Sequence, residues 1–225
     1  MSEHSKALVL DFGGVISRTL FETHRLSEAA LRLPAGTLTW RGPFDPASDA
    51  LWRQMQAGEI SERDYWATRV CEVGQLVAEE WTIFPQFLAR VRGDDPLAVI
   101  RSEALDAIAT AKAAGCKLAI LSNELDLFYG AEFRNKLPFL ADFDLIVYAT
   151  YTGILKPDRR AYALISDGLG IAPERCVFVD DQLTNITGGR AAGFQTVHFD
   201  VTRPADSYAK ALHLLGLALP ETAHA

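Results

Sequence analysis

The stretch Ala7-Leu8-Val9-Leu10-Asp11-Phe12-Gly13-Gly14-Val15 constrains this chain most. Four apolar residues in a row, with polar residues before them and a glycine pair after, read as a short strand buried on both faces. A carboxylate at the end of such a strand is costly to desolvate. It persists where it holds a metal or does chemistry at the carboxyl edge of a sheet, the edge where open α/β sheets bind ligands. Gly13 and Gly14 allow a tight turn and close approach to main-chain atoms. Taken alone, Asp11 also fits the start of an ordinary turn, since Asp and Gly are common turn formers.

Two patterns follow. From Ile16 to about Arg92 apolar residues recur at helical spacing, as in Leu20, Leu26, Ala29, Ala30 and Leu33, then Leu51, Met55, Tyr65, Trp66 and Val70. Ser61-Glu62-Arg63-Asp64 has the hydroxyl and later acid of a helix start. Thr37 to Pro46 reads as a loop. No strand is expected here, only an all-helical insertion of roughly 75 residues. From about Pro96 helices and strands alternate: a helix over Leu97–Gly115, a strand at Lys117–Leu121 and another at Phe143–Val147. A helix opening at Pro157-Asp158 runs to about Gly168, and a strand at Cys176–Val179 follows. Last come a helix over Asn185–Ala192, a strand at Gln195–Phe199 and a helix over Ser207–Leu215. That alternation predicts a doubly wound parallel sheet, an α/β fold whose first strand lies before the helical insertion. The expected core is 1–17 and 97–225, and the expected insertion is 18–96.

Three strands end in polar residues at one edge: Asp11, Ser122-Asn123 and Asp180-Asp181. Lys156-Pro157 precedes a helix. Asp11 and Asp181 together need a cation, and hard oxygen ligands select magnesium (Mg2+), which keeps waters and a substrate phosphate. Ser122, Asn123 and Lys156 supply the hydrogen bonds and positive charge that a phosphate needs. An Asp oxygen can then act as nucleophile and form an acyl phosphate. Each element has a plainer reading: a helix cap for Ser122-Asn123, a solvated lysine for Lys156, a turn and cap for Asp180-Asp181. Their joint order favours the chemical one. Gly188-Gly189-Arg190-Ala191-Ala192-Gly193 lies within and after a helix, so it does not read as a dinucleotide loop.

Composition bounds the rest. With 225 residues, the chain can bury one good core or a core plus a smaller unit. A formal charge of −7 argues against nonspecific binding of nucleic acid or anionic lipid. Cys71, Cys116 and Cys176 have neither zinc-site spacing nor a disulfide framework, which fits a reducing cytoplasmic setting. Met1 to Lys6 lacks an apolar signal core, and no run approaches the roughly 18 apolar residues of a membrane span.

The ordered set Leu8-Val9-Leu10-Asp11-Phe12-Gly13-Gly14-Val15, Ile120-Leu121-Ser122-Asn123, Lys156-Pro157 and Val177-Phe178-Val179-Asp180-Asp181 resembles the four motifs of the haloacid dehalogenase (HAD) superfamily. The resemblance implies a Rossmann-like core and a helical cap that closes over the site and selects substrate. It implies Asp11 as nucleophile and magnesium ligand, the Gly13 carbonyl as a second ligand, and Asp181 as a carboxylate ligand with Asp180 beside it. Ser122, Asn123 and Lys156 would hold the phosphoryl group, and Asn185 takes a supporting position. Arg18, Arg41, Trp40, Trp52 and Trp66 are candidate substrate contacts, Arg41 foremost, while burial in the cap is the plainer role for the tryptophans.

One departure matters. The family's phosphatases usually carry a second Asp two residues after the nucleophile, as acid and base, and here Gly13 stands there. Loss of proton donation costs about 10² to 10⁴ in rate. The expectation is therefore a magnesium-dependent phosphatase acting on a small phosphorylated metabolite such as a sugar phosphate, as a monomer or homodimer. The alternatives are a catalytically impaired binding or regulatory protein, or a metal-independent 2-haloacid dehalogenase. In the last, the charge of Asp180-Asp181 would raise the pKa of Asp11 and weaken it as nucleophile.

Overall fold

The computed structural model describes residues 5–91, 95–123 and 135–218. The described residues divide into two units: one holds those up to Arg18 and from Val99 onward, the other Thr19–Ala98.

The first unit is built on a five-stranded sheet of β1 (Ala7–Leu10), β2 (Lys117–Ser122), β3 (Leu145–Tyr148), β4 (Cys176–Asp180) and β5 (Gln195–His198). Every pairing is parallel and the order is β3-β2-β1-β4-β5. The doubly wound α/β expectation holds. β1 lies at the centre with all four residues fully buried, which is why its sequence is a continuous apolar run. Ala7, Val9, Ala119, Leu121 and Phe178 pack in one cluster with Tyr162 and Ile165 of one helix and Ile186 of another.

Helix boundaries shift in instructive ways. The helix expected over Leu97–Gly115 is interrupted, and α5 covers only Ser102–Ala113. Ile100 forms an antiparallel bridge with Ser17, while Arg18 N–H donates to Val99 C=O at 2.7 Å and Arg101 N–H to Ile16 C=O at 3.0 Å. Extended pairing there claims the backbone groups that a helix needs. Asp158 caps rather than enters α6 (Arg159–Leu169), its carboxylate accepting from Arg160 N–H, and Gly170 closes the helix in the left-handed region. The next helices are α7 (Leu183–Ala191) and α8 (Pro204–Leu214), the latter starting earlier than expected because Pro204 fits a first helical turn. The strand expected at Phe143–Val147 begins two residues later. Asp144 stands before it, accepting from Leu118 N–H and pairing with Lys117.

The second unit is helical, with α1 (His24–Ala30), α2 (Ala50–Gln56), α3 (Glu62–Leu76) and α4 (Phe84–Val91). No strand occurs among its described residues. Ser61 and Asp64 make the reciprocal capping box that starts α3, with Asp in place of the usual longer acid. Phe21, Trp40, Tyr65, Trp81 and Phe87 form the core, and Trp52 and Trp66 pack against it. Phe21 meets Trp40 and Trp52 edge to face, with centroids 5.5 and 5.2 Å apart. Buried Asp49 holds this unit's polar centre, accepting from Trp52 N–H, Tyr65 Oη and Gly42 N–H and pairing with Arg69 at 2.6 Å. No described helix is long and apolar enough to cross a membrane.

His24 is buried against Trp40, with ring centroids 4.2 Å apart. Burial holds its pKa down, to about 4, against the partial opposition of Glu28. The unfolded chain therefore binds a proton at His24 between pH 6.5 and 4 that the folded chain refuses, so His24 contributes a loss of stability as pH falls through that window. Thermal unfolding of His24→Gln beside the unaltered protein at pH 7 and pH 5 checks this. The unaltered protein is expected to lose more stability on acidification, and equal losses would refute the assignment.

Candidate active site

The polar residues that end β1, β2 and β4 converge because parallel strands finish on the same side. Asp11 follows β1, with its N–H bonded to Val179 C=O at 2.9 Å. Lys156 comes from the loop before α6. Its Nζ lies 2.9 Å from Asp11 Oδ1 and 2.6 Å from Asp180 Oδ2, and its side chain is only 1 % exposed. The ammonium also stands over the Phe178 ring, 5.6 Å from the centroid. This lysine is no solvated surface residue.

Two asparagines build the setting. Asn123 Oδ1 accepts from Lys156 N–H at 2.7 Å, and Asn123 Nδ2 donates to Lys156 C=O at 3.2 Å. Its amide thus grips the lysine main chain, a positioning role beside the phosphate contact expected from sequence. Asn185 Nδ2 donates to both oxygens of Asp180 at 3.1 Å, and Gln182 N–H adds a bond to Asp180 Oδ1 at 2.8 Å. Tyr162 Oη fixes Asn185 in turn by donating to its carbonyl at 2.6 Å. Fully buried Asp180 therefore turns toward Lys156, with both oxygens already accepting. Ser122 is buried at the end of β2.

Carboxylate oxygens of Asp11, Asp180 and Asp181, one from each, all lie within 4.8 Å of one another. Burial raises the pKa of Asp11 to about 6, and the Asp180 charge adds to this against the opposing pull of Lys156. Burial opposes the charge on Lys156, yet Asp11 and Asp180 together hold its pKa above the ordinary lysine range. Three carboxylates gather here with one ammonium between two of them, and such a cluster attracts a further positive charge. The donor set is all oxygen and suits a hard divalent cation such as magnesium. Lys156, Asn185 and Gln182 engage Asp180, while Lys156 meets only one oxygen of Asp11.

The glycine pair after Asp11 divides its work. Gly14 has φ 75°, and a Cβ there would sit 2.5 Å from Asp181 Oδ2, so glycine is what lets that carboxylate approach the turn. Gly13 has φ −68° and ψ 130°, ordinary for any residue, and a Cβ there would meet nothing within 4 Å. The Gly188-Gly189 run also finds its reason. A Cβ at Gly188 would lie 2.8 Å from both Pro157 Cβ and Tyr162 Oη, so the glycine lets α7 press against the Lys156-Pro157 loop.

Arg41, Trp40, Trp52 and Trp66 belong to the helical unit. The tryptophans pack in its core, as their plainer reading held, and Arg41 is exposed before the Gly42–Phe44 turn. Arg18 is half-buried beside the Ser17–Ile100 bridge.

Gly14→Ala is expected to destabilise the protein by roughly 1–2 kcal/mol, the cost of a side chain in the left-handed region, and to weaken divalent cation binding. Gly13→Ala is expected to change stability by less than about 0.5 kcal/mol. Denaturant unfolding and calorimetric titration with magnesium check the pair; equal effects at both positions would contradict the assigned geometry.

Comparison with known proteins places the chain in a family and a fold. The family model described as haloacid dehalogenase-like hydrolase matches residues 5–193. A phosphatase of Mycobacterium tuberculosis, Phosphatase MT3486, is 30% identical over 119 residues, covering 52% of this chain and 54% of that protein. (S)-2-haloacid dehalogenase 1 of Pseudomonas sp. is 32% identical over 116 residues, covering 50% of each. The chain thus spans about half the length of these two relatives. The crystal structure of YfnB from Bacillus subtilis, a HAD-hydrolase bound to magnesium, superposes with a TM-score of 0.66 at 18% identity, covering 96% of this chain and 100% of that one, which is a likeness of fold. With the parallel sheet, the converging strand ends and a family match across most of its length, the chain belongs to the haloacid dehalogenase-like hydrolases.

Proposed function

We propose that the protein is a magnesium-dependent phosphatase that hydrolyses a small phosphorylated metabolite through an aspartyl-phosphate on Asp11. The observation that carries this reading is the Lys156 ammonium held between Asp11 and Asp180, with the Asp181 carboxylate alongside. Asp11 and Asp181, with the Gly13 carbonyl, would hold the ion, and Asp180 serves the lysine. Bound magnesium would neutralise the carboxylates and the phosphate oxygens.

Asp11 presents the carboxylate oxygen not bonded to Lys156 to the phosphorus. An Asp11 O–P bond forms while the ester P–O bond breaks, and the leaving group departs with the electron pair. Lys156 and the Ser122 hydroxyl stabilise the transferring phosphoryl oxygens, and Asn123 keeps the lysine main chain in place. Water then hydrolyses the acyl phosphate, releasing inorganic phosphate and restoring Asp11. Gly13 supplies no proton, so leaving groups of low pKa, such as those of acyl phosphates or sugar 1-phosphates, suit the site best. In this reading the helical unit selects the substrate, with Arg41 as an anion contact.

The likeness to the Pseudomonas dehalogenase, together with Leu121-Ser122-Asn123, favours halide displacement as the second reading. Lys156 already offsets Asp180, which leaves Asp181 as the charge that opposes an anionic haloacid.

Asp11→Asn is expected to abolish magnesium-dependent phosphate release across a panel of small phosphate esters, while the unaltered protein releases no halide from 2-chloropropionate in chelator. Unchanged phosphate release by the variant would exclude the aspartyl-phosphate route. Metal-free halide release by the unaltered protein would select the dehalogenase reading.

A further inference from the structure

Behind the nucleophile turn lies a second set of contacts that the proposed chemistry does not use. Arg101, the residue before α5, is 3 % exposed. Its Nε and Nη2 donate to one acceptor, the Gly14 carbonyl, at 3.2 and 3.1 Å. Tyr208 on α8, fully buried, donates its hydroxyl to the Val15 carbonyl at 2.9 Å. The Ile16 carbonyl accepts Arg101 N–H at 3.0 Å, and the Phe12 carbonyl accepts Ser17 N–H at 2.8 Å. The carbonyls on either side of Gly13 are therefore engaged, which fixes the peptides around it.

Phe199 joins these contacts to the acidic strand end. The Arg101 guanidinium stands over its ring, 5.5 Å from the centroid, and the Tyr208 ring meets it edge to face at 5.1 Å. Phe199 N–H donates to the Asp180 carbonyl at 2.9 Å. One ring thus connects the two residues that hold the Gly14 and Val15 carbonyls to the strand that carries Asp180. A buried guanidinium is expensive to desolvate, and a well-packed apolar residue would serve stability as well. A planar fork aimed at a single carbonyl sets a direction that an apolar side chain cannot.

We propose that Arg101 and Tyr208 are positioning residues for the reaction, holding the turn that presents Asp11 and the Gly13 carbonyl. This rests on the phosphatase reading, since the turn matters to rate only if Asp11 is the nucleophile. Small displacements of a reacting group cost rate far more than they cost binding.

Tyr208→Phe tests this cleanly, because it keeps the ring on Phe199 and removes only the hydroxyl. It is expected to lower kcat about five- to tenfold, the worth of one hydrogen bond, with KM nearly unchanged. It should also weaken magnesium affinity in calorimetry and speed amide hydrogen exchange at Gly13–Ile16 but not in β3. Arg101→Lys keeps the charge, loses the fork, and should lower kcat by roughly a hundredfold. Variants that melt earlier yet keep kcat, magnesium affinity and exchange at the turn would overturn the proposal. If the unaltered protein hydrolyses no phosphate ester, the phosphatase reading fails by itself. Magnesium affinity and turn exchange in Tyr208→Phe then decide the bracing: a change in both supports it and no change overturns it.

Discussion

The site depends on one buried charge arrangement, an ammonium held between two carboxylates. Lys156 reaches Asp11 at 2.9 Å and Asp180 at 2.6 Å with almost no solvent contact. Such an arrangement survives only when each partner is otherwise hydrogen-bonded, because desolvation of a charge costs several kcal/mol. That requirement explains the polar residues packed around the pair. Asn123 ties the lysine main chain, Asn185 and the Gln182 amide saturate Asp180, and Tyr162 fixes Asn185. The same requirement explains Gly188, without which α7 could not come up against the Lys156-Pro157 loop.

Charge balance then separates the three aspartates by role. Asp180 is used up in holding the lysine. Asp11 retains one oxygen outside the ion pair, and burial, with the Asp180 charge adding to it, holds its pKa up against the pull of Lys156. Asp181 is drawn in by Gly14, whose backbone accepts no ordinary side chain. An adjacent acid pair in sequence is thus two different devices in space: one carboxylate faces the lysine and its neighbour faces the glycine turn after Asp11.

Much of this was legible in the chain itself. The apolar run of β1, the alternation after residue 96 and the polar residues at three strand ends gave the parallel sheet and the residues of its carboxyl edge, because burial on both faces and parallel connections leave few other arrangements. Asn185 was visible only as a supporting candidate, since its bond to Asp180 depends on how α7 turns. Arg101 and Tyr208 left no signal. Their partners, the Gly14 and Val15 carbonyls, are main-chain atoms 87 and 193 residues away, and no side-chain pattern marks a carbonyl acceptor. The helix expected over Leu97–Gly115 starts later, at Ser102, for a similar reason. Its first turn looked helical locally, but the pairing of Ile100 with Ser17 comes from the far side of the helical insertion.

The buried ion pair can be measured without any assumption about substrate. A double-mutant cycle in magnesium-free buffer would compare Lys156→Met, Asp180→Asn and the double variant by denaturant unfolding. Removing one partner strands a buried charge and is expected to cost about 3–5 kcal/mol, whereas removing both should cost clearly less than the sum. Strictly additive losses would mean that Lys156 and Asp180 do not hold each other, and the site as described here would not exist.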